Sequence, residues 1–79
     1  MKPRAPEVRA FLRRFGAAVR AQREARGLSQ EELGFEADLD RTYVSGVERG
    51  VRNPTVVTIF ALARALRVKP SRLVTVADG

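Results

Sequence analysis

Apolar residues recur at three- and four-residue intervals through Val8, Phe11, Leu12, Phe15, Ala18 and Val19, which is the spacing of one helical face. The opposite side carries Arg9, Arg13 and Arg20, with Arg13 and Arg14 expected as solvated charges. Pro6 suits a first helical position, Glu7 suits the dipole beside it, and Gly27 stands where a left-handed cap residue belongs. A first helix over about 7 to 26 is therefore predicted. The run Leu28-Ser29-Gln30-Glu31-Glu32-Leu33 is a dense start signal. Ser29 serves as N-cap, Glu32 closes a capping box, and Leu28 reaches Leu33 as a hydrophobic staple. The second helix runs only to about Ala37, because Asp38-Leu39-Asp40 breaks the period and aspartate is one of the few residues tolerated at positive φ.

Asp40 caps a third helix over about 41 to 49, with Val44, Val47 and Glu48 on one side. Thr42, Ser45, Gly46 and Arg49 project from the other. Gly50 ends this helix, and Val51-Arg52-Asn53-Pro54 forms a loop before Thr55 caps a fourth. Ile59, Leu62, Ala63 and Leu66 mark the buried stripe of that fourth helix. Pro70, with a staple from Val68 to Leu73, opens a short fifth helix. The expectation is an all-α, five-helix domain over about 7 to 74, with a disordered arm at 1–6 and a frayed tail at 75–79.

Composition narrows the function. A chain of 79 residues forms one small domain with a core too small for comfortable stability alone, so self-association is expected. Cysteine and histidine are both absent, which removes disulfides, thiol nucleophiles, imidazole bases and the usual zinc ligands. Neither metal nor cofactor is expected. Glu31, Glu32 and Glu36 could suggest acid–base chemistry, but Glu32 is committed to its cap and lies one turn from Glu36 on an exposed face. The chain is not read as an enzyme. No apolar run approaches the roughly 18 residues of a membrane span, which predicts a soluble, cytoplasmic protein.

The net charge of +6 is unevenly placed: residues 1–27 carry +6, residues 28–50 carry −4 and residues 51–79 carry +4. Thirteen of the 15 cations are arginine, whose planar fork suits phosphate oxygens and guanine edges. A polyanion is the leading partner. Two short helices joined by a three-residue turn, the second exposing small and polar side chains, make a helix-turn-helix unit for the major groove of double-stranded DNA. Arg41 and Thr42, on the first turn of the outward-facing helix, are the best-placed groups for base edges or phosphate. Because residues 28–50 are net acidic, flanking arginines must supply the nonspecific attraction, with Arg20, Arg49 and Arg52 as candidates.

The stretch LSQEELGFEADLDRTYVSGVERGVRNPT resembles the helix-turn-helix regulators related to phage repressor and Cro proteins, and the resemblance spans about 15 to 74. Within that family, DRTYVSGVERG followed by RNPT is most similar to the small dimeric controller proteins of restriction–modification systems. The resemblance implies that Gln30 holds backbone or a base edge. It also implies that Arg41, Thr42 and Tyr43 make groove contacts and that Arg52 and Asn53 follow on phosphate, while Ser45 and Arg49 join the DNA-binding set from their place on the outward face. Arg23 and Glu48 match the family's semi-buried ion pair. Gly34 replaces the usual Ala, Asp38 takes the usual turn Gly, and Gly46 offers no side chain to a base. Leu66, Val68, Leu73, Val74 and Val76 exceed what one small core covers and predict a homodimer through the fourth and fifth helices. Two-fold symmetry would set the reading helices about 34 Å apart, one turn of DNA. A different class of function, an antitoxin or protein-interaction adaptor using the same fold, would instead be marked by a stoichiometric protein partner.

Overall fold

Every helix in the chain opens on a residue that deals with the unpaired N–H groups of a first turn, either by capping them or by lacking one. The structure, a computed structural model, describes residues 5–79. The order is α1 (Pro6–Ala25), α2 (Gln30–Ala37), α3 (Arg41–Glu48), α4 (Val56–Leu66) and α5 (Pro70–Asp78), with no strand among the described residues. α1 and α5 begin on prolines, while Ser29, Asp40 and Thr55 accept backbone N–H bonds at the starts of α2, α3 and α4. The capping box is complete: Glu32 N–H donates to Ser29 Oγ at 2.9 Å, and Ser29 N–H donates to Glu32 Oε1 at 2.8 Å.

The helix ends set the turn angles. Asp38 sits at φ 59, and Leu39 N–H reaches back to the Gly34 carbonyl at 2.7 Å, which closes α2 and turns the chain into α3. Gly34 is needed for this turn, since a Cβ there would lie 2.5 Å from the Leu39 carbonyl oxygen. α4 closes on Arg67 at φ 61, an uncommon conformation for a residue other than glycine, with Val68 N–H on the Ala63 carbonyl at 3.0 Å.

Phe15 and Val19 of α1, Leu33 of α2, Val44 and Val47 of α3, Leu62 and Leu66 of α4 and Leu73 of α5 form one fully buried core. α1 packs chiefly on α5 and α3, and α2 on α3 and α4. Arg14 of α1 and Arg26, the residue that caps its end, extend this packing. Arg14 Nε donates to the Ala77 carbonyl and Arg26 Nη1 to the Ala65 carbonyl, each at 2.6 Å, so α1 and its cap supply donors to the unpaired last turns of α5 and α4.

Several expectations need correction. Arg14 is not a free solvated charge, for the reason just given. The tail is not frayed from residue 75: α5 continues to Asp78, because Ala77 prolongs the stripe begun by Leu73 and is itself fully buried. Of the expected arm, residues 1–4 lie outside the described residues and Pro6 is already helical. Leu66 and Leu73, expected at a dimer interface, are 1% and 0% exposed and belong to the chain's own core. They leave nothing for a second copy to touch.

Candidate nucleic-acid interface

α3 is pinned at both ends. At its start, Asp40 accepts the Thr42 N–H at 2.7 Å, and this bond, with smaller help from the Thr42 hydroxyl and the Tyr43 N–H, holds the Asp40 carboxyl below its ordinary range. At its end, α1 crosses so closely that a Cβ on Gly16 would strike the carbonyls of Val47 and Glu48. There Glu48 takes a bidentate bond from Arg23, Nε to Oε2 at 2.7 Å and Nη2 to Oε1 at 3.1 Å, with side chains only 12% and 3% exposed. The remaining Arg23 nitrogen, Nη1, donates to the Leu28 carbonyl at 2.7 Å. Hydrogen bonding to Glu48 raises the Arg23 pKa against the opposing effect of burial. The expected structural ion pair is present, joining α1, the α1–α2 loop and α3.

Gln30 belongs to the same network, since its Nε2 donates to Glu48 Oε1 at 3.1 Å. A residue expected at backbone or a base edge is therefore half-buried and braces α2 against α3. Sequence spacing could not reveal this, because Gln30 and Glu48 are brought together only by the turn at Asp38.

Between the pinned ends lies an exposed, polar face. Arg41 and Thr42 are exposed on the first turn, Ser45 is half-buried, and exposed Arg49 donates from Nε to Ser45 Oγ at 3.4 Å. Tyr43 is half-buried with its ring packed on the core. Arg52 and Asn53 of the following loop are exposed beside it, and the Arg52 guanidinium carbon lies 5.7 Å from the centre of the Tyr43 ring. Gly46, expected to face outward, is buried instead, covered by the Arg52 side chain. Arg20, expected as a phosphate contact, is engaged with Glu24 at 3.2 Å, both side chains remaining largely exposed.

The exposed apolar residues that the sequence did not single out are on α4 and α2. Val56, Val57 and Phe60 are 81%, 76% and 56% exposed, and Phe35 of α2 is 88% exposed. The signal was present, since these α4 positions fall outside the inward stripe of half-buried Ile59 and buried Leu62, Ala63 and Leu66 while remaining apolar. Of the five residues expected at a dimer interface, Val74 and Val76 are exposed and Val68 is half-buried. Among the described residues no cluster of metal-ligating side chains occurs, and no helix is long and apolar enough to cross a membrane.

A tight turn, a capped second helix with a bare polar face and a brace to the first helix define a helix-turn-helix. The chain belongs to the HTH_3 helix-turn-helix family, whose model matches residues 19–73, and it is a transcriptional regulator of this DNA-binding class. It is 47% identical over 60 residues to the control protein C.BamHI of Bacillus amyloliquefaciens, covering 75% of this chain and 74% of that protein. The crystal structure of the restriction-modification controller protein C.AhdI from Aeromonas hydrophila superposes with a TM-score of 0.78 at 53% identity, over 78% of this chain and 94% of that one. The clp gene regulator ClgR from C. glutamicum gives a TM-score of 0.81 at 25% identity, over 87% of this chain and 90% of that one.

Proposed function

We propose that the protein is a controller-type regulator that binds an inverted-repeat operator as a two-fold dimer, with α3 of each copy in the major groove. The observation that carries this reading is the face of α3 itself, where Arg41, Thr42, Ser45 and Arg49 lie exposed or half-exposed on a helix fixed at both ends. A groove about 12 Å wide accepts one helix with side chains of this size. Arg41 reads a base edge, Thr42, Tyr43 and Ser45 complete the groove contacts, Arg49 neutralises a phosphate and Asn53 donates a hydrogen bond to one.

The dimer forms through the exposed apolar residues of α4, Val56, Val57 and Phe60, joined by Val68, Val74 and Val76. A second copy is favoured over another occupant by charge. The groove beside Val57 and Phe60 carries Arg64 together with Glu36 and Asp38, so a two-fold partner can offer its own Arg64 to this acidic pair and the reverse. C.BamHI and C.AhdI are a control protein and a restriction-modification controller by name, and the high coverage of both supports the same role here.

Selection from a random duplex library tests the reading. The expected product is an inverted repeat with half-site centres about 10 base pairs apart. Enrichment of a single asymmetric half-site would remove the dimer, and no enrichment would remove DNA recognition.

A further inference from the structure

Helical periodicity puts Gly46 on the outward side of α3 with Thr42, Ser45 and Arg49, yet Gly46 is buried. One side chain from the next loop covers it. A Cβ on Gly46 would lie 2.6 Å from Arg52 Cγ, 3.1 Å from its Nε and 3.4 Å from its Cδ. The stem of Arg52 thus crosses the helix in the space that a residue-46 side chain would take. Beyond the stem, the guanidinium carbon lies 5.7 Å from the centre of the Tyr43 ring, within cation–π range.

Gly46 differs in kind from the other buried glycines. At Gly16 and Gly34 a methyl group would meet backbone carbonyls of a neighbouring segment, whereas at Gly46 its three nearest neighbours are all Arg52 side-chain atoms. Gly16 and Gly34 let helices and turns approach, and Gly46 admits a side chain. The charge so admitted is also uncommitted. Arg20, Arg23 and Arg26 each meet a carboxylate, while Arg52 forms no ion pair among the described residues.

We propose that Gly46 and Tyr43 form a seat that holds Arg52 across the exposed face of α3, so that Arg52 reads a guanine edge at the middle of that face, with Gly46 as its positioning residue. This rests on the DNA-binding reading above and moves Arg52 from phosphate, where the family resemblance put it, to a base. A seated stem has already lost most of its rotamer freedom before DNA arrives, which reduces the ordering cost of contact. Stacking on an aromatic face leaves the in-plane N–H fork of a guanidinium free, and that fork matches guanine O6 and N7. α3 therefore presents a long cationic reader at a position where its own residue has no side chain.

A double-mutant cycle decides the matter, measured by fluorescence anisotropy on the duplex that the wild-type chain enriches and on an unrelated duplex. Gly46→Ala adds one methyl to a helix interior, where Ala is favoured over Gly, so the melting temperature should hold or rise. On the enriched duplex it should weaken binding about tenfold or more, with the unrelated duplex unaffected. Arg52→Ala changes an exposed loop side chain, leaves folding intact, and should show a similar loss together with relaxed preference at one G·C pair per half-site. In the Arg52→Ala background, Gly46→Ala should cost nothing further, because the side chain it displaces is gone. An equal loss from Gly46→Ala in both backgrounds, or no loss in either, overturns the proposal. Weakening of all duplexes alike by Arg52→Ala makes Arg52 a phosphate contact and also overturns it, with the DNA reading intact. A wild-type chain that enriches no duplex removes both.

Discussion

Arg41, Thr42, Ser45 and Arg49 occupy one outward surface of this small domain, and Val56, Val57 and Phe60 occupy another, one helix further along the chain. Both surfaces are short and stand on capped helices. Their chemistry is opposite. The α3 face offers guanidinium and hydroxyl donors that lose affinity as salt displaces them from phosphate. The α4 strip offers hydrocarbon, whose burial is little weakened by salt and is strengthened by kosmotropic ions. A single core therefore supports two contacts that respond to different conditions, one suited to a polyanion and the other to protein.

Four perturbations would break or sharpen this contrast. The largest effect belongs to the brace that holds the end of α3. Arg23→Ala leaves Glu48 buried without its counter-charge and should destabilise the fold by about 3–5 kcal/mol, read by urea unfolding. Retention of wild-type stability would show that α3 is held by other means. Next, Phe60→Glu places a charge on the apolar strip and should weaken self-association by about 2 kcal/mol or more while the monomer stays folded, read by sedimentation equilibrium. An unchanged dimer would move the interface elsewhere.

Arg41→Ala should cost about 1–3 kcal/mol on the enriched duplex and leave sedimentation unaltered, which separates the two surfaces from the other side. Acid gives the smallest effect. Asp40 and Glu32 have carboxyls held below their ordinary range, Asp40 by the Thr42 N–H and Glu32 by the Ser29 N–H and hydroxyl. A folded-state pKa below the unfolded one means that the stabilisation is fully present above the unfolded value. It is lost as pH falls through the lowered folded value. The starts of α2 and α3 should therefore gain hydrogen exchange in strong acid before the start of α4, whose cap, Thr55, does not titrate near those values. Asp40→Asn and Glu32→Gln should remove the difference.

The helix boundaries could be read from the sequence because caps are local: Ser29 with Glu32, Asp40, Thr55 and Pro70 each announce a start within a few residues. The Arg23–Glu48 pair was available only through resemblance, since 25 positions separate its partners. Other features depend on how distant segments meet. Gln30 is drawn inward by Glu48, Arg14 finds the end of α5, and Arg52 folds over Gly46. No period or propensity encodes such meetings. Leu66 and Leu73 show the converse error, because apolar residues near a chain end are equally good core or interface until the packing of α1 against α5 decides. Val57 and Phe60 were legible in principle as apolar positions standing outside a buried stripe.

The most direct test of two surfaces with two tasks is an amide chemical-shift titration of the isotope-labelled protein with its enriched duplex. The account predicts the largest shifts at Arg41 to Arg49 and in the Arg52–Asn53 loop, with Val56, Val57 and Phe60 little changed because the second copy already covers them. Shifts concentrated on the α4 strip, with α3 silent, would contradict it.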